Sequence, residues 1–399
     1  MDYGVLAPLR VRDFRWLWIG QVVSVVGDKI NQIAMAIMVY LLTGSMLQMG
    51  IMLGITLLPA ALFGLVAGVY VDRWDRRETM LVADVVRACL VLAIPFVIRY
   101  GIGWAYLLAF CAATVALFFI PAKRSLIPDI VPPVSLMAAN SLDNATSAVS
   151  DLGGLAVGGV LVAAIGYRWA FTVDAATFVF SAMCIALIRY RREPALAAEK
   201  DRGVWNEAAE GLRSIWDSDV LRELFGIYTA AAIFAAGSIA ICYALALQRY
   251  HAGAPGIALL DASVTAGILL GSIAVGRMGA GQAGAKFLGG VAGFGVTFAL
   301  IAFAFNIWIA CILLVLCGVA NMFFFIPATT LYQTRSDDAL RGRIMAAAST
   351  VNSVAAVVGI VAAGALAQHV PIPALTAAVG IAALAIALYG ATRTALRTA

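Results

Sequence analysis

Long apolar runs follow one another from one end of this chain to the other, and they leave few folds open. Runs of about 18 or more largely apolar residues are typical of membrane-spanning helices. Of the 399 residues, 63% are apolar and only 12% are charged, whereas soluble domains carry about 25% charged residues. We therefore expect an all-α membrane protein, because a helix satisfies its own backbone hydrogen bonds in lipid.

Hydropathy and helix-breaking residues divide the chain into twelve predicted spans. They cover 16–42, 46–71, 79–98, 104–120, 136–165, 169–188, 221–247, 257–276, 286–305, 308–326, 342–367 and 372–391. The longest hydrophilic stretch lies at the midpoint, which predicts a six-helix bundle over 1–188, a linker over 189–220 and a second six-helix bundle over 221–399. Apolar residues at helical spacing from Val204 to Trp216 favour an amphipathic helix at the cytoplasmic surface. A partly ordered linker is the alternative.

The distribution of Lys and Arg predicts the orientation of the spans. If the amino terminus is cytoplasmic, 22 of the 27 basic residues fall in cytoplasmic segments, three fall in outer loops and two lie within spans. Cytoplasmic loops of membrane proteins are enriched in Lys and Arg. Both termini are therefore expected in the cytoplasm, with an even number of spans between them.

A direct repeat relates the two halves. Phe-Phe-Ile-Pro-Ala occurs at 118–122 and again at 324–328, and the pattern Met-Ala-Ala-x-Ser-x-x-Asn occurs at 137–144 and at 345–352. The two matches keep the same order and nearly the same offset. Duplicated six-helix units in parallel orientation occur in secondary transporters, which bind substrate near the bilayer midplane between the units.

A spaced motif joins spans 2 and 3. It consists of Gly64, Gly68, Asp72, Arg73, Arg76 and Arg77. Glycines four residues apart allow a neighbouring helix to approach closely, and the arginines can bind carboxylates. The motif resembles the loop signature of the major facilitator superfamily, although Asp75 stands where that pattern has glycine. The resemblance implies a cytoplasmic gate formed by Gly68, Asp72, Arg73 and Arg76.

Further segments resemble the bacterial drug and siderophore exporters, including macrolide-efflux and enterobactin-exporter proteins. These segments include Phe14-Arg15-Trp16-Leu17-Trp18, Ala139-Asn140-Ser141-Leu142 and Val173-Asp174-Ala175. In span 5 the resemblance implies a helix-packing motif formed by Gly154, Gly158 and Gly159. The proline usual in the corresponding antiporter motif is Leu155 in this chain, so the motif alone does not establish antiport.

Charged residues inside predicted spans are candidates for function, because a charge at the bilayer centre costs at least about 2.5–3.5 kcal/mol on insertion scales. Asp28 lies about twelve residues into span 1, or ~18 Å along the helix, and Asp151 is similarly central in span 5. We expect these two carboxylates to bind the coupling proton or a cation. Asn31 and Gln32 would line the same cavity, and Asn321 and Asn352 would form its wall in the second half. The alternative is that both carboxylates are paired structurally.

Two other groups of charges are expected nearer the membrane surfaces. Asp84 and Arg87 are three residues apart on span 3 and so can pair, and we place them in the cytoplasmic gate with Asp72 and Asp143. Asp174 and Asp261 are expected at the outer mouth, in contact with water.

Together these features predict a secondary active transporter of the bacterial inner membrane. The resemblance implies proton-coupled export of a small amphiphilic molecule by a monomer. A lysophospholipid flippase or an uptake facilitator of the same fold is the main alternative, followed by a membrane enzyme and a non-transporting receptor. No cofactor, metal site or nucleic-acid partner is predicted. Gly279 to Lys286 only approximates a phosphate-binding loop, with one residue too many and no Ser or Thr.

Overall fold

The computed structural model describes residues 7–132, 135–190, 204–278, 282–336 and 340–393. Some helical residues within these ranges have described backbones but not described side chains, at 65–73, 137, 144–145, 147–148, 151, 204–208, 211 and 341–342. The described chain is helical throughout, which confirms the expected all-α class.

Twelve α-helices follow one another along the described chain. They are α1 (Arg12–Thr43), α2 (Met46–Arg73), α3 (Arg76–Val97), α4 (Ile102–Ile130), α5 (Leu136–Ala186), α6 (Val204–Asp217), α7 (Asp219–Ala244), α8 (Gly253–Arg277), α9 (Ala283–Ile301), α10 (Ile307–Arg335), α11 (Arg341–Leu366) and α12 (Ile372–Ala391). Short 3₁₀ turns cover Ala7–Arg10 and Ile98–Tyr100, and a π turn covers Leu245–Arg249. Eleven helical stretches of the described chain are long and apolar enough to cross a membrane. Helix α6 is not one of them and occupies the segment where the amphipathic helix is predicted.

Helix α5 contains a break that divides it into two arms. Gly166 has φ 78° and ψ 162°, a backbone conformation that is not helical and that suits glycine. Both arms pack on α1, through Trp18–Thr146 and Ile30–Gly158 for the first arm and through Gln21–Ser181 and Gly27–Thr177 for the second. From Trp18 to Ile30 along α1, the contacting residue on the first arm changes from Thr146 to Gly158, so this arm runs in the same direction as α1. From Gln21 to Gly27, the contacting residue on the second arm changes from Ser181 to Thr177, so this arm runs in the opposite direction. The two arms are antiparallel.

Internal contacts divide the chain into two compact units. The first comprises residues 1–38 and 62–200, and the second comprises 39–61 and 201–399. The apolar core of the first unit is built from α1, α3, α4 and α5, around residues such as Phe14, Met80 and Phe119. The core of the second is built around residues such as Phe287, Phe324 and Tyr332. The start of α2 belongs to the second unit, where a Cβ atom built on Gly50 would lie 3.2 Å from Gly364 Cα of α11.

Candidate functional site

An ion pair joins α1 and α3 inside the first unit. Arg87 Nη2 donates to Asp28 Oδ1 over 2.5 Å, and the Arg87 and Asp28 side chains are 14% and 37% exposed. The guanidinium carbon of Arg87 also lies 4.0 Å from the ring centre of Phe178 on α5, which is cation–π geometry. The predicted pair between Asp84 and Arg87 is therefore wrong. Spacing within one helix identifies residues that can pair, but the long Arg87 side chain instead reaches a neighbouring helix.

Asp84 lies one turn before Arg87 and is completely buried. Neither of its carboxylate oxygens has a hydrogen-bond partner, although the Ser181 hydroxyl lies near them. Burying an ionised carboxylate without partners is very unfavourable. The arrangement therefore favours the neutral, protonated acid.

Asp174, on the second arm of α5, is also completely buried. Thr177 Oγ1 donates to its Oδ1 over 3.3 Å, whereas Oδ2 has no partner. The expectation that Asp174 contacts water at the outer mouth is wrong. The physical reason is Gly27, since a Cβ atom built there would lie 2.5 Å from Asp174 Oδ1, so that α1 covers this carboxylate closely.

The three carboxylates and the arginine form one electrostatic cluster, which we call the charge cluster: Asp28, Asp84, Arg87 and Asp174. The charges that act on Asp174 are those of Asp28, Arg87 and Asp84, and those that act on Asp84 are Arg87 and Asp28. Lys29 follows Asp28, and its Cβ and Cγ atoms lie 3.0 and 3.1 Å from a Cβ atom built on Gly154 of the first α5 arm. Lys29 has interactions of its own, and its charge is not among those that act on Asp84 or Asp174. Within the charge cluster, one cation therefore faces three acids.

A helical stripe on α5 lines the charge cluster, and the sequence contains a signal for it that hydropathy alone does not detect. Asp174, Thr177, Phe178 and Ser181 follow the i, i+3, i+4, i+7 spacing of one helix face. Ser181 Oγ accepts a hydrogen bond from Gln21 Nε2 over 3.3 Å. This repeated polar spacing within an otherwise apolar span marks a face directed at partners other than lipid.

A second group of polar contacts joins the helix ends near the start of α3. Asp75 accepts from Glu78 N over 2.8 Å and so caps α3. Arg76 pairs with Asp129 near the end of α4 and donates to Ser125 O. Arg77 donates to the carbonyl oxygens of Ile185 and Ala186 at the end of α5. These contacts place cations at carboxyl-terminal helix ends, where the helix dipole favours them.

The other predicted gate residues take separate places. Lys123 Nζ lies 3.0 Å from a carboxylate oxygen of Asp143, and this ion pair joins α4 to α5. Asp143 therefore belongs to a different contact from Asp84. The side chains of Asp72 and Arg73, and the surroundings of Gly68, lie outside what the structure describes, and so does the Asp151 side chain.

The predicted packing glycines lie where α5 approaches α1. Cβ atoms built on Gly154 and Gly158 would both lie 3.1 Å from α1 backbone carbons, those of Val26 and Ile30. Gly159 is buried next to them. Any larger side chain at Gly154 or Gly158 would have to push the two helices apart.

The predicted cavity residues divide between the two units. Asn31 and Gln32 follow Asp28 on α1. Asn31 Oδ1 is buried without a hydrogen-bond partner, whereas Gln32 has contacts. Asn352 on α11 accepts from Thr229 Oγ1 of α7 over 3.1 Å, and Asn321 is half-buried on α10, both in the second unit. Asp261 is half-buried there and accepts from the Tyr243 hydroxyl over 2.9 Å.

Comparison with known proteins decides the family. The family model of the Major Facilitator Superfamily matches residues 17–360. The chain belongs to the Major Facilitator Superfamily. This facilitator is 24% identical to macrolide efflux protein A of Streptococcus pyogenes, over 90% of each chain. It is 29% identical to the multidrug efflux pump Tap of Mycolicibacterium fortuitum, over 86% of each.

A solved structure supports the fold of the facilitator. A bacterial homologue of the iron transporter ferroportin in an inward-facing state matches with a TM-score of 0.74 at 15% identity, over 96% of this chain and 99% of that one. The expected family and the likeness to the drug-exporter branch are confirmed. The facilitator is a multi-pass membrane transporter with efflux pumps among its relatives.

Proposed function

We propose that the facilitator is a proton-coupled exporter of a small amphiphilic molecule, such as a drug, a macrolide-like antibiotic or a siderophore. The observation that supports this most strongly is its similarity, over nearly the whole of both chains, to proteins named for macrolide and multidrug efflux. We propose that it acts as a monomer in the bacterial cytoplasmic membrane.

The proposed topology has twelve spans, with both termini in the cytoplasm. The antiparallel arms of α5 support counting it as spans 5 and 6, which gives six spans within 1–188 and six within 221–399, joined by 189–220. The charge asymmetry of the loops supports the orientation. The helix-end contacts of Arg76, Arg77 and Asp143 then lie on the cytoplasmic side, where we propose a gate that also includes Gly68, Asp72 and Arg73.

The proposed coupling site is the charge cluster, together with Asn31, Gln32 and Asp151. In the ionised state Asp28 holds Arg87 through a charge-assisted hydrogen bond. A proton on Asp28 removes that attraction and frees the guanidinium, so proton binding changes how α1 and α3 are joined. An exporter needs this kind of link, because a proton can drive transport only by favouring one of its states over another. Asn321 and Asn352 supply amide groups for substrate in the second unit.

The test is export driven by a pH gradient in reconstituted vesicles. A sensitivity panel of drugs and siderophores in an efflux-deficient host first identifies a substrate. We expect a pH gradient to drive uptake of that compound into inverted vesicles, an ionophore to abolish it, and Asp28→Asn to reduce it at least tenfold. Asp219→Asn is the matched control, since Asp219 is an exposed acid whose partner Arg222 lies on the same helix. Transport by wild type that does not respond to the pH gradient would contradict the proposal.

A further inference from the structure

The charge cluster contains more acid than its one cation can balance. Arg87 is engaged by Asp28, so Asp84 and Asp174 are left without a cation in contact. Both are completely buried, and three of their four carboxylate oxygens have no hydrogen-bond partner. Two ionised carboxylates in these positions would be desolvated and would also repel Asp28.

We propose that Asp84 and Asp174 bind protons in addition to Asp28, and that Arg87 exchanges between Asp28 and these two acids. In the arrangement described, both acids carry a proton and Asp28 is the ionised partner of Arg87. The role of this exchange in transport rests on the proposed function. The positions of the protons do not depend on it.

The exchange conserves charge and atoms. The O–H bond of Asp174 or Asp84 breaks, an O–H bond forms on Asp28, and Arg87 leaves Asp28 for the newly ionised acid. Its guanidinium lies over Phe178, one helical turn from Asp174 on the same α5 face, which keeps it within the charge cluster as it moves. Arg87 thus stays paired with one carboxylate throughout. The proton moves from Asp174 on α5, or from Asp84 on α3, to Asp28 on α1.

A bound metal ion explains the burial of these unpartnered carboxylates less well than protonation does. Among the described residues, no group of three or more His, Cys, Asp or Glu side chains could hold a metal ion. The hydroxyls near the carboxylates are also engaged, Thr177 by Asp174 and Ser181 by Gln21. A proton needs only one carboxylate oxygen and no coordination shell, and the unpartnered oxygens provide that.

Infrared spectroscopy of the purified full chain tests the proposal, because protonated carboxylic acids have a carbonyl stretch that carboxylates lack. At neutral pH we expect a band from buried protonated acid in the wild type, and loss of about half its intensity in Asp84→Asn and in Asp174→Asn. Asp28→Asn should also lower the band, because it frees Arg87 to bind one of the two acids and ionise it. Asp261→Asn is the control and should leave the band unchanged.

Several outcomes would overturn the proposal. It is wrong if the band is absent from the wild type, or if it persists at full intensity in both Asp84→Asn and Asp174→Asn. Loss of the band when sodium chloride replaces potassium chloride at constant pH would assign the site to sodium instead. Asp174→Glu, which should keep the band, shows whether a loss in Asp174→Asn reflects the missing acid or a misfolded protein. This experiment measures no transport, so its result is independent of the proposed function. The proton positions can be wrong while proton-driven export is right, and they can be right while proton-driven export is wrong.

Discussion

The two units fill their interiors in different ways. In the first, polar side chains lie between helices, and the charge cluster joins α1, α3 and α5. In the second, helices meet through glycines at shorter range. Cβ atoms built on Gly271 and Gly318 would lie 2.8 and 2.9 Å from backbone carbons of Val319 and Gly267, respectively, whereas the corresponding distances for Gly154 and Gly158 are both 3.1 Å.

The difference shows how one repeated helical plan can serve two purposes. Small residues let membrane helices gain dispersion energy by close contact, and in the second unit such contacts accompany isolated polar pairs such as Thr229–Asn352 and Tyr243–Asp261. Buried charges are costly and are found where they serve a function. Under the proposed function, the first unit would be the part of the facilitator that responds to protons, whereas the second is more closely packed at its glycines.

The largest effect is expected from locking a contact within the second unit. Gln368, just after α11, donates a hydrogen bond to Ser45, just before α2. If transport requires the ends of α2 and α11 to separate, a disulfide between Ser45→Cys and Gln368→Cys should stop export almost completely, and a reductant should restore it. The measurement is vesicle transport before and after oxidation, with each single cysteine variant as control. Full activity of the oxidised pair would show that this contact stays closed throughout the cycle.

The next largest effect is expected from removing the cation of the charge cluster. Arg87→Met keeps an apolar stem over Phe178 but leaves Asp28 without its partner. Breaking a buried ion pair costs about 3–5 kcal/mol, and the partial exposure of Asp28 favours the lower end. We expect lost export and a lower thermal unfolding temperature in detergent. Adding Asp28→Asn should recover part of the stability, whereas Arg99→Met, at an exposed arginine, should change little. An unchanged unfolding temperature in Arg87→Met would mean that the pair contributes nothing to the fold.

A smaller effect is expected from crowding the glycine contacts of the second unit. Gly271 and Gly276 both lie on α8, but a Cβ atom has no neighbour within 4 Å at Gly276. Overpacking costs about 1–3 kcal/mol, so Gly271→Leu should lower the unfolding temperature while Gly276→Leu should not. Equal behaviour of the two variants would mean that close glycine contacts do not distinguish the interior of the second unit.

Sequence reasoning performs well for the helices and less well for the charge cluster. Apolar runs and glycine turns predict the helices because lipid imposes length and hydropathy on every span. Gly44 and Gly166, which lie in the short gaps predicted between spans 1 and 2 and between spans 5 and 6, both have positive φ. The partner of Arg87 and the burial of Asp174 depend instead on which helix faces meet, and the depth of a residue along its own span contains no such information.

Proton release on substrate binding tests the central claim most directly. The compound identified by the sensitivity panel is added to purified facilitator in weak buffer with a pH-sensitive dye, for the wild type, Asp84→Asn/Asp174→Asn and Asp261→Asn. If coupling belongs to the charge cluster of the first unit, the wild type and Asp261→Asn release protons, and the double variant binds the compound without releasing any. Unchanged release in the double variant, with release lost in Asp261→Asn, would contradict the account and move proton coupling to the second unit.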